Sequence, residues 1–167
     1  MFQCVARILE KGTLLTGRTS EVVRKNQLAA MHEATQFGVR RVKERTPQGV
    51  SGAQGGLLAS IQPEVRERQT GVIGVIGTAS PYGLVVEKGR RPGKGMPPAG
   101  SMVRWIEVKM GMSATEAQRI EYVIRRKIAA KGTKGAFMFE KTLKEDWPEF
   151  EAIFRRYGVQ ITRELSA

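Results

Sequence analysis

Residues 19–47 read TSEVVRKNQLAAMHEATQFGVRRVKERTP, and this stretch decides how the rest of the chain can fold. Thr19 or Ser20 can cap a helix, and Glu21 is favourable in its first turn. Pro47 pushes the residue before it out of the α region, so the pattern predicts one helix ending near Arg45. On a helical wheel Val23, Ala30, Ala34 and Phe37 form an apolar stripe. Leu28, Met31, Val39 and Val42 form a second stripe beside it, and Lys25, His32, Gln36 and Lys43 make the polar back. An arc this wide exceeds the stripe of an ordinary surface helix. It predicts a helix that covers a sheet and also meets a further neighbour.

The sheet is expected on both sides of that helix. Upstream, Phe2 to Leu9 alternates loosely and reads as a short strand broken by Lys11-Gly12. Downstream, residues 46–56 are rich in Gly and Pro and read as a long loop. Leu57 to Arg68 and Gly71 to Thr78 are strand-like, and Gln69-Thr70-Gly71 supplies a hairpin turn between them. Gly74, flanked by Val72, Ile73, Val75 and Ile76, marks a bulge or a close backbone approach. Pro81 opens a third strand-like run, Tyr82 to Lys88.

The second half reads mainly as helices and breaks. Residues 90–98, with Pro92, Pro97 and Pro98, form a basic extended loop. A helix from Ala99 to about Lys109 carries Met102, Val103, Trp105 and Ile106, and Gly111 ends it. Ser113-Ala-Thr-Glu116 is a capping box that starts a helix to about Lys131. Its inner face is Ala117, Ile120, Ile124 and Ile128, and Arg119 and Arg126 share the opposite face. Gly132-Thr-Lys-Gly135 breaks the chain, and residues 137–147 are short and mixed. Pro148 suits the first turn of a last helix. Phe150, Phe154, Tyr157, Ile161 and Leu165 repeat there at helical spacing, and Gly158 weakens it. The pattern gives an α+β fold: a long N-terminal helix packed on a small antiparallel sheet, with additional C-terminal helices.

Charge is the first pointer to function. The 167 residues carry 28 Lys/Arg against 16 Asp/Glu, a net +12. Residues 88–134 hold 12 of the bases and three of the acids, while residues 135–167 are net −1. A balance this basic and this concentrated argues for nucleic acid or another acidic partner. The candidate contacts are Arg90, Arg91 and Lys94 on the proline-stiffened loop. Arg119, Arg125, Arg126, Lys127, Lys131 and Lys134 join them on the helix and its exit. Cations favour a helix C-terminus, which explains part of the pattern. The excess suits backbone phosphate rather than base readout, since no helix-turn-helix, zinc finger or RNA-binding aromatic motif occurs. A solvated basic surface is the plainer alternative.

Catalysis has little to work with, and a non-enzymatic protein is expected. His32 is the sole histidine and Cys4 the sole cysteine, so no disulfide and no metal-ligand spacing arises, and no cofactor is implied. Cys4 reads as a small core residue suited to a reducing compartment. Gly132-Thr-Lys-Gly135 is loosely similar to a phosphate-binding loop but lacks the full Walker pattern. No apolar run approaches the ~20 residues that cross a bilayer. The first seven residues lack a basic and then apolar signal pattern, so neither a membrane nor a secretory route is expected. Six aromatics crowd residues 137–157. A small sheet with three earlier helices need not bury them all, and aromatics anchor interface cores. Phe139, Trp147, Phe150 and Phe154, with Phe37 and Val39, are the candidate subunit contacts.

The ordered motifs resemble a known family. They are Arg45-Thr-Pro47, Gly55-Gly-Leu-Leu-Ala-Ser-Ile61, Tyr82-Gly-Leu-Val-Val-Glu-Lys-Gly-Arg90, Arg91-Pro-Gly-Lys94, Pro97-Pro98, Trp105 and Lys131-Gly-Thr-Lys-Gly135. Together they span roughly residues 20–140 and resemble the tail-completion or head–tail joining (neck) proteins of long-tailed bacteriophages. These are also described as minor tail or virion morphogenesis proteins. The resemblance implies a structural virion protein, assembled in the host cytoplasm, that completes the top of the tail and joins it to the head connector. It implies a homo-oligomeric ring, commonly a hexamer, around the DNA channel, beside neighbouring neck and tail-terminator proteins. DNA would be met by backbone or channel contact only, and residues 46–56 would order on assembly. Shorter members end in aromatic-Leu-Arg-Pro after the Gly-Thr-Lys-Gly stretch. Here Phe137-Met-Phe139 and a long helical segment stand instead. Residues 1–136 are therefore expected to form the tail-completion-like domain and 137–167 a helical extension for packing or partner contact. A sequence-independent DNA-binding protein is the alternative.

Overall fold

The computed structural model describes residues 2–6, 17–49 and 56–166, with side chains for 19–49 and 56–166. The chain forms two units. One comprises Met1–Glu44, Ile61–Thr78 and Met138–Ala167, and the other Arg45–Ser60 and Ala79–Phe137. The fold class is α+β, as expected.

In the first unit, β1 (Phe2–Ala6), β2 (Ile61–Arg68) and β3 (Gly71–Thr78) make an antiparallel sheet of order β1-β3-β2. The hairpin turn falls at Gln69 and Thr70, where the sequence places it. Pro63 lies in β2, an edge strand, where its missing N–H costs no interior ladder bond. β3 is central, and Val72 and Val75 are buried on its opposite faces. Helix α1 (Gly17–Arg45) begins ahead of both cap candidates, so Thr19 and Ser20 lie inside its first turn.

The position of Gly74 explains how closely α1 sits on the sheet. A Cβ there would lie 2.5 Å from both Met31 Sδ and Thr35 Cγ2, so only glycine admits the helix. The pairing through Val65↔Gly74 is continuous, which makes this a close approach and not a bulge. Met31 is 2 % exposed and Val42 1 %.

The wide apolar arc of α1 meets its second neighbour within the chain. Helix α6 (Met138–Glu145) and helix α7 (Trp147–Ser166) return to the first unit. Ala34, Phe150 and Ile153 form a buried cluster with Phe37, Phe154 and Tyr157 packed against it. Phe37 and Phe150 meet edge to face, with centroids 5.2 Å apart. Asp146 stands between the two helices. Its carbonyl accepts from the amides of Glu149 (3.2 Å) and Phe150 (3.3 Å), and its carboxylate pairs with Arg41 at 2.9 Å. The expected division near residue 137 thus falls at a boundary between units. The segment beyond it packs with α1, and the two units divide residues 1–136 between them.

The second unit contains α2 (Gly56–Ser60), α3 (Gly83–Lys88), β4 (Gly89–Arg90), α4 (Val103–Met110), α5 (Ala114–Lys131) and β5 (Thr133–Lys134). Two strand-like readings are corrected here: Leu57 to Ser60 and Tyr82 to Lys88 are largely helical. Short apolar runs such as Leu84-Val-Val86 carry too little periodicity to separate helix from strand. The amide of Val86 donates to the Tyr82 carbonyl at 2.9 Å, a helical turn, and Leu84 and Val85 both face solvent. The capping box is present: Ser113 Oγ accepts from the Glu116 amide, and Glu116 Oε2 accepts from the Ser113 amide at 3.0 Å. Ala117 and Ile106 are fully buried on α5 and α4. Residues 50–55 of the expected loop, the Lys11-Gly12 break and the Cys4 side chain lie outside the described residues. No helix among those residues is long and apolar enough to cross a membrane.

Candidate functional site: a basic clip in the second unit

The basic loop and the exit of α5 are far apart in sequence but are bolted together by backbone. Gly89 pairs with Lys134 and Arg90 with Thr133 in a two-stranded clip. The Arg90 amide donates to Thr133 Oγ1 at 3.1 Å, and the Gly93 amide donates to the Ala129 carbonyl at 2.8 Å. Beyond the clip, the amides of Ala136 and Phe137 donate to the carbonyls of Val86 and Glu87 at 2.8 and 3.0 Å.

Glycine makes this closeness possible. Gly89 has φ 73° and ψ −171°, and Gly132 has φ 71° and ψ −167°, a region that side chains avoid. A Cβ at Gly132 would strike the Arg90 carbonyl, one at Gly89 the Thr133 carbonyl, and one at Gly135 the Glu87 carbonyl. The Gly132-Thr-Lys-Gly135 motif is therefore a backbone clasp, which accounts for its glycines without a nucleotide.

Two of the predicted cations serve structure. Arg125 Nε donates to the Pro97 carbonyl at 2.7 Å and is half-buried, which braces the proline loop against α5. The Arg90 guanidinium donates to the Gly95 carbonyl, closing the same loop on itself. Glu121, 6 % exposed, completes the bracing: Oε1 and Oε2 accept the amides of Met102 and Gly100, each at 3.0 Å. These amides, the Met102 bond foremost, hold its carboxyl below the usual carboxylate range, and nearby Arg125 adds to the effect.

The other seven predicted cations stay outside. Arg91, Lys94, Arg119, Arg126, Lys127, Lys131 and Lys134 are exposed, and none makes an ion pair among the described residues. The second unit holds 13 Lys/Arg and four Asp/Glu, net +9, against 15 and 12 in the first. Two of its four acids, Glu87 and Glu121, are buried, so its surface is more one-signed than the count.

The predicted subunit contacts separate sharply. Val39 and Phe150 are buried, Phe37 and Phe154 pack on the same cluster, and Phe139 is half-buried. Trp147 alone remains 44 % exposed. Apolar surface that the sequence reading did not assign to subunit contacts lies on the second unit: Tyr82, Leu84, Val85, Met96, Trp105, Val108, Met110, Tyr122 and Val123 are all exposed. For Tyr122 and Val123 a signal exists, because they sit between Arg119 and Arg126 at helical spacing.

The first unit has an open polar hollow of about 540 Å³ between the start of α1 and the β2–β3 turn, lined by Ser20, Glu21, Arg24 and Arg68 among others, and a groove of about 210 Å³ lined by Asn26, Ala30, Phe154, Tyr157 and Ile161. The apolar cavity lined by Met31, Gly74, Phe139, Thr142 and Phe150 measures about 50 Å³. That is far below the roughly 300 Å³ at which small-molecule pockets begin. Among the described residues no group of three His, Cys, Asp or Glu side chains could hold a metal ion. No family model, curated protein or solved structure matches the chain.

Proposed function

We propose that this chain is a structural assembly protein of a phage neck, forming an oligomeric ring at the top of the tail around the DNA channel. One observation carries the reading: a braced unit of net +9 presents unpaired cations and nine exposed large apolar side chains, while the rest of the chain is close to neutral. Charge of this kind suits a polyanion passing by, and apolar area of this kind suits protein neighbours. The order of the Arg45-Thr-Pro47, Tyr82–Arg90 and Lys131–Gly135 motifs supports the same reading. Deleting the gene from the phage that encodes it should leave filled heads and free tails unjoined, and the purified chain should restore infectious particles. Joined particles in its absence would refute the assignment.

The exposed cations at the clip, Arg91, Lys94, Lys131 and Lys134, favour a second reading, a sequence-independent DNA-binding protein. On that reading a monomer binds two unrelated duplexes equally. Replacing these four cations by Gln then reduces the slope of log K against log salt by about 3 to 4. Fluorescence anisotropy over a salt series measures this, and absent or sequence-dependent binding removes the reading.

A further inference from the structure

We propose that the outer face of α5 docks on the α6–α7 corner of a second copy of this chain, head to tail; this rests on the assembly reading above. The face is defined by position. Arg119, Tyr122, Val123 and Arg126 follow at i, i+3, i+4 and i+7 and point away from buried Ala117 and Glu121. Tyr122 is 55 % and Val123 64 % exposed, flanked by two arginines that make no ion pair among the described residues. An aromatic and a β-branched side chain between arginines are the residue types that anchor interfaces.

Charge selects the occupant. The face requires an acidic partner with apolar area of its own, and the chain holds one. Residues 145–154 carry four Asp/Glu and no Lys/Arg, in a chain of net +12. Asp146 is committed to Arg41, whereas Glu149 and Glu151 are exposed and form no ion pair among the described residues. Glu149 in the first turn of α7 is favoured by the helix dipole alone; Glu151 lies beyond that turn. Trp147 is exposed one helical turn before Glu151, on the same flank. A second copy thus offers Trp147 to Tyr122 and Val123, and the Glu151 carboxylate beside it to the flanking arginines; Glu149, two residues from each, lies on the other flank of α7. The two surfaces differ, so each copy keeps one of each kind open. Such heterologous contacts close into rings when the rotation permits.

Charge reversal tests the contact on the full-length chain, with mass followed by analytical ultracentrifugation over a concentration series. Glu151→Arg, and separately Arg119→Glu with Arg126→Glu, should each weaken self-association at least about tenfold. The combined triple variant should recover it, and so should an equimolar mixture of the two reversed variants. Trp147→Ala, which leaves charge intact, should weaken association to a similar extent. Oligomers indifferent to all these changes would overturn the contact. Reversals that weaken association without recovery in the triple variant would do the same. So would a wild-type chain that stays monomeric at every concentration. Wild-type chain that nevertheless restores particles would leave the neck reading standing, whereas normal particles without the chain would remove that reading on its own.

Discussion

The two units are built by different means. The first uses side-chain packing: Met31 and Thr35 cross Gly74, and Ala34, Phe37 and Phe150 join α1 to α7. Several of its charges are paired, as in Arg24 with Glu67, Arg41 with Asp146 and Arg156 with Glu33. The second uses backbone: glycines pressed against carbonyls, amides received by Glu121, and a two-residue clip. Much of its apolar and cationic surface is left facing outward. A unit that closes on its own backbone keeps its side chains available for other molecules. The first unit resembles an ordinary core, whereas the second leaves many of its cations and large apolar side chains exposed.

The largest expected effect breaks the packed unit. Phe150→Ala removes the ring that meets Phe37 and should cost about 3–5 kcal/mol. Trp147 lies in the first unit and Trp105 in the second, so two single-tryptophan backgrounds can report each unit during urea unfolding. The Trp147 transition should move to lower urea by much more than the Trp105 transition. Equal movement of both would show that the units unfold together and would weaken the contrast drawn between them.

A smaller effect breaks the backbone-built unit. Gly132→Ala forces a Cβ against the Arg90 carbonyl at φ 71°, and should cost roughly 3 kcal/mol. The same substitution at Gly158, in the exposed middle of α7 with nothing near a new Cβ, should stabilise by about 0.5–1 kcal/mol. Thermal melts of the two variants therefore move in opposite directions. A Gly132→Ala melt at the wild-type temperature would mean that the clasp is not needed.

This contrast also marks what the sequence could reveal. The helix over residues 19–45, the hairpin turn at Gln69-Thr70, the capping box and the last helix were legible, because each follows from local chemistry or strong periodicity. Gly74 was legible as a close approach or a bulge, but only the position of α1 distinguishes the two. Tyr82 to Lys88 was misread, since seven residues with three adjacent apolar side chains satisfy either period. The destination of α7 was hidden because its stripe specifies burial without naming the surface that buries it. At the candidate site, the basic excess and its division into loop and helix end were legible. The bracing was not: Arg125 reaching Pro97 spans 28 residues, and Glu121 reaches back 19 and 21, which no local spacing encodes.

Glu121 sets the smallest and most specific test of that bracing. Its carboxylate receives two amides, one on each oxygen, and they lower its pKa from an ordinary 4.5. A depressed pKa contributes stability above the unfolded value and loses it as pH falls through the folded value. Glu121→Gln retains one oxygen acceptor but sets an amide –NH₂ against the second N–H. At neutral pH the variant should lose hydrogen-exchange protection at Gly100 and Met102, with a modest fall in melting temperature. As pH drops below 4.5, protonation gives the wild-type carboxyl the same single acceptor, and the two proteins should converge. Replacing Phe150 should show no such convergence, because no proton enters that contact. A Glu121→Gln deficit that is constant across pH would assign the residue a steric role instead of an electrostatic one. It would also make the second unit more like the first than its hydrogen bonds indicate.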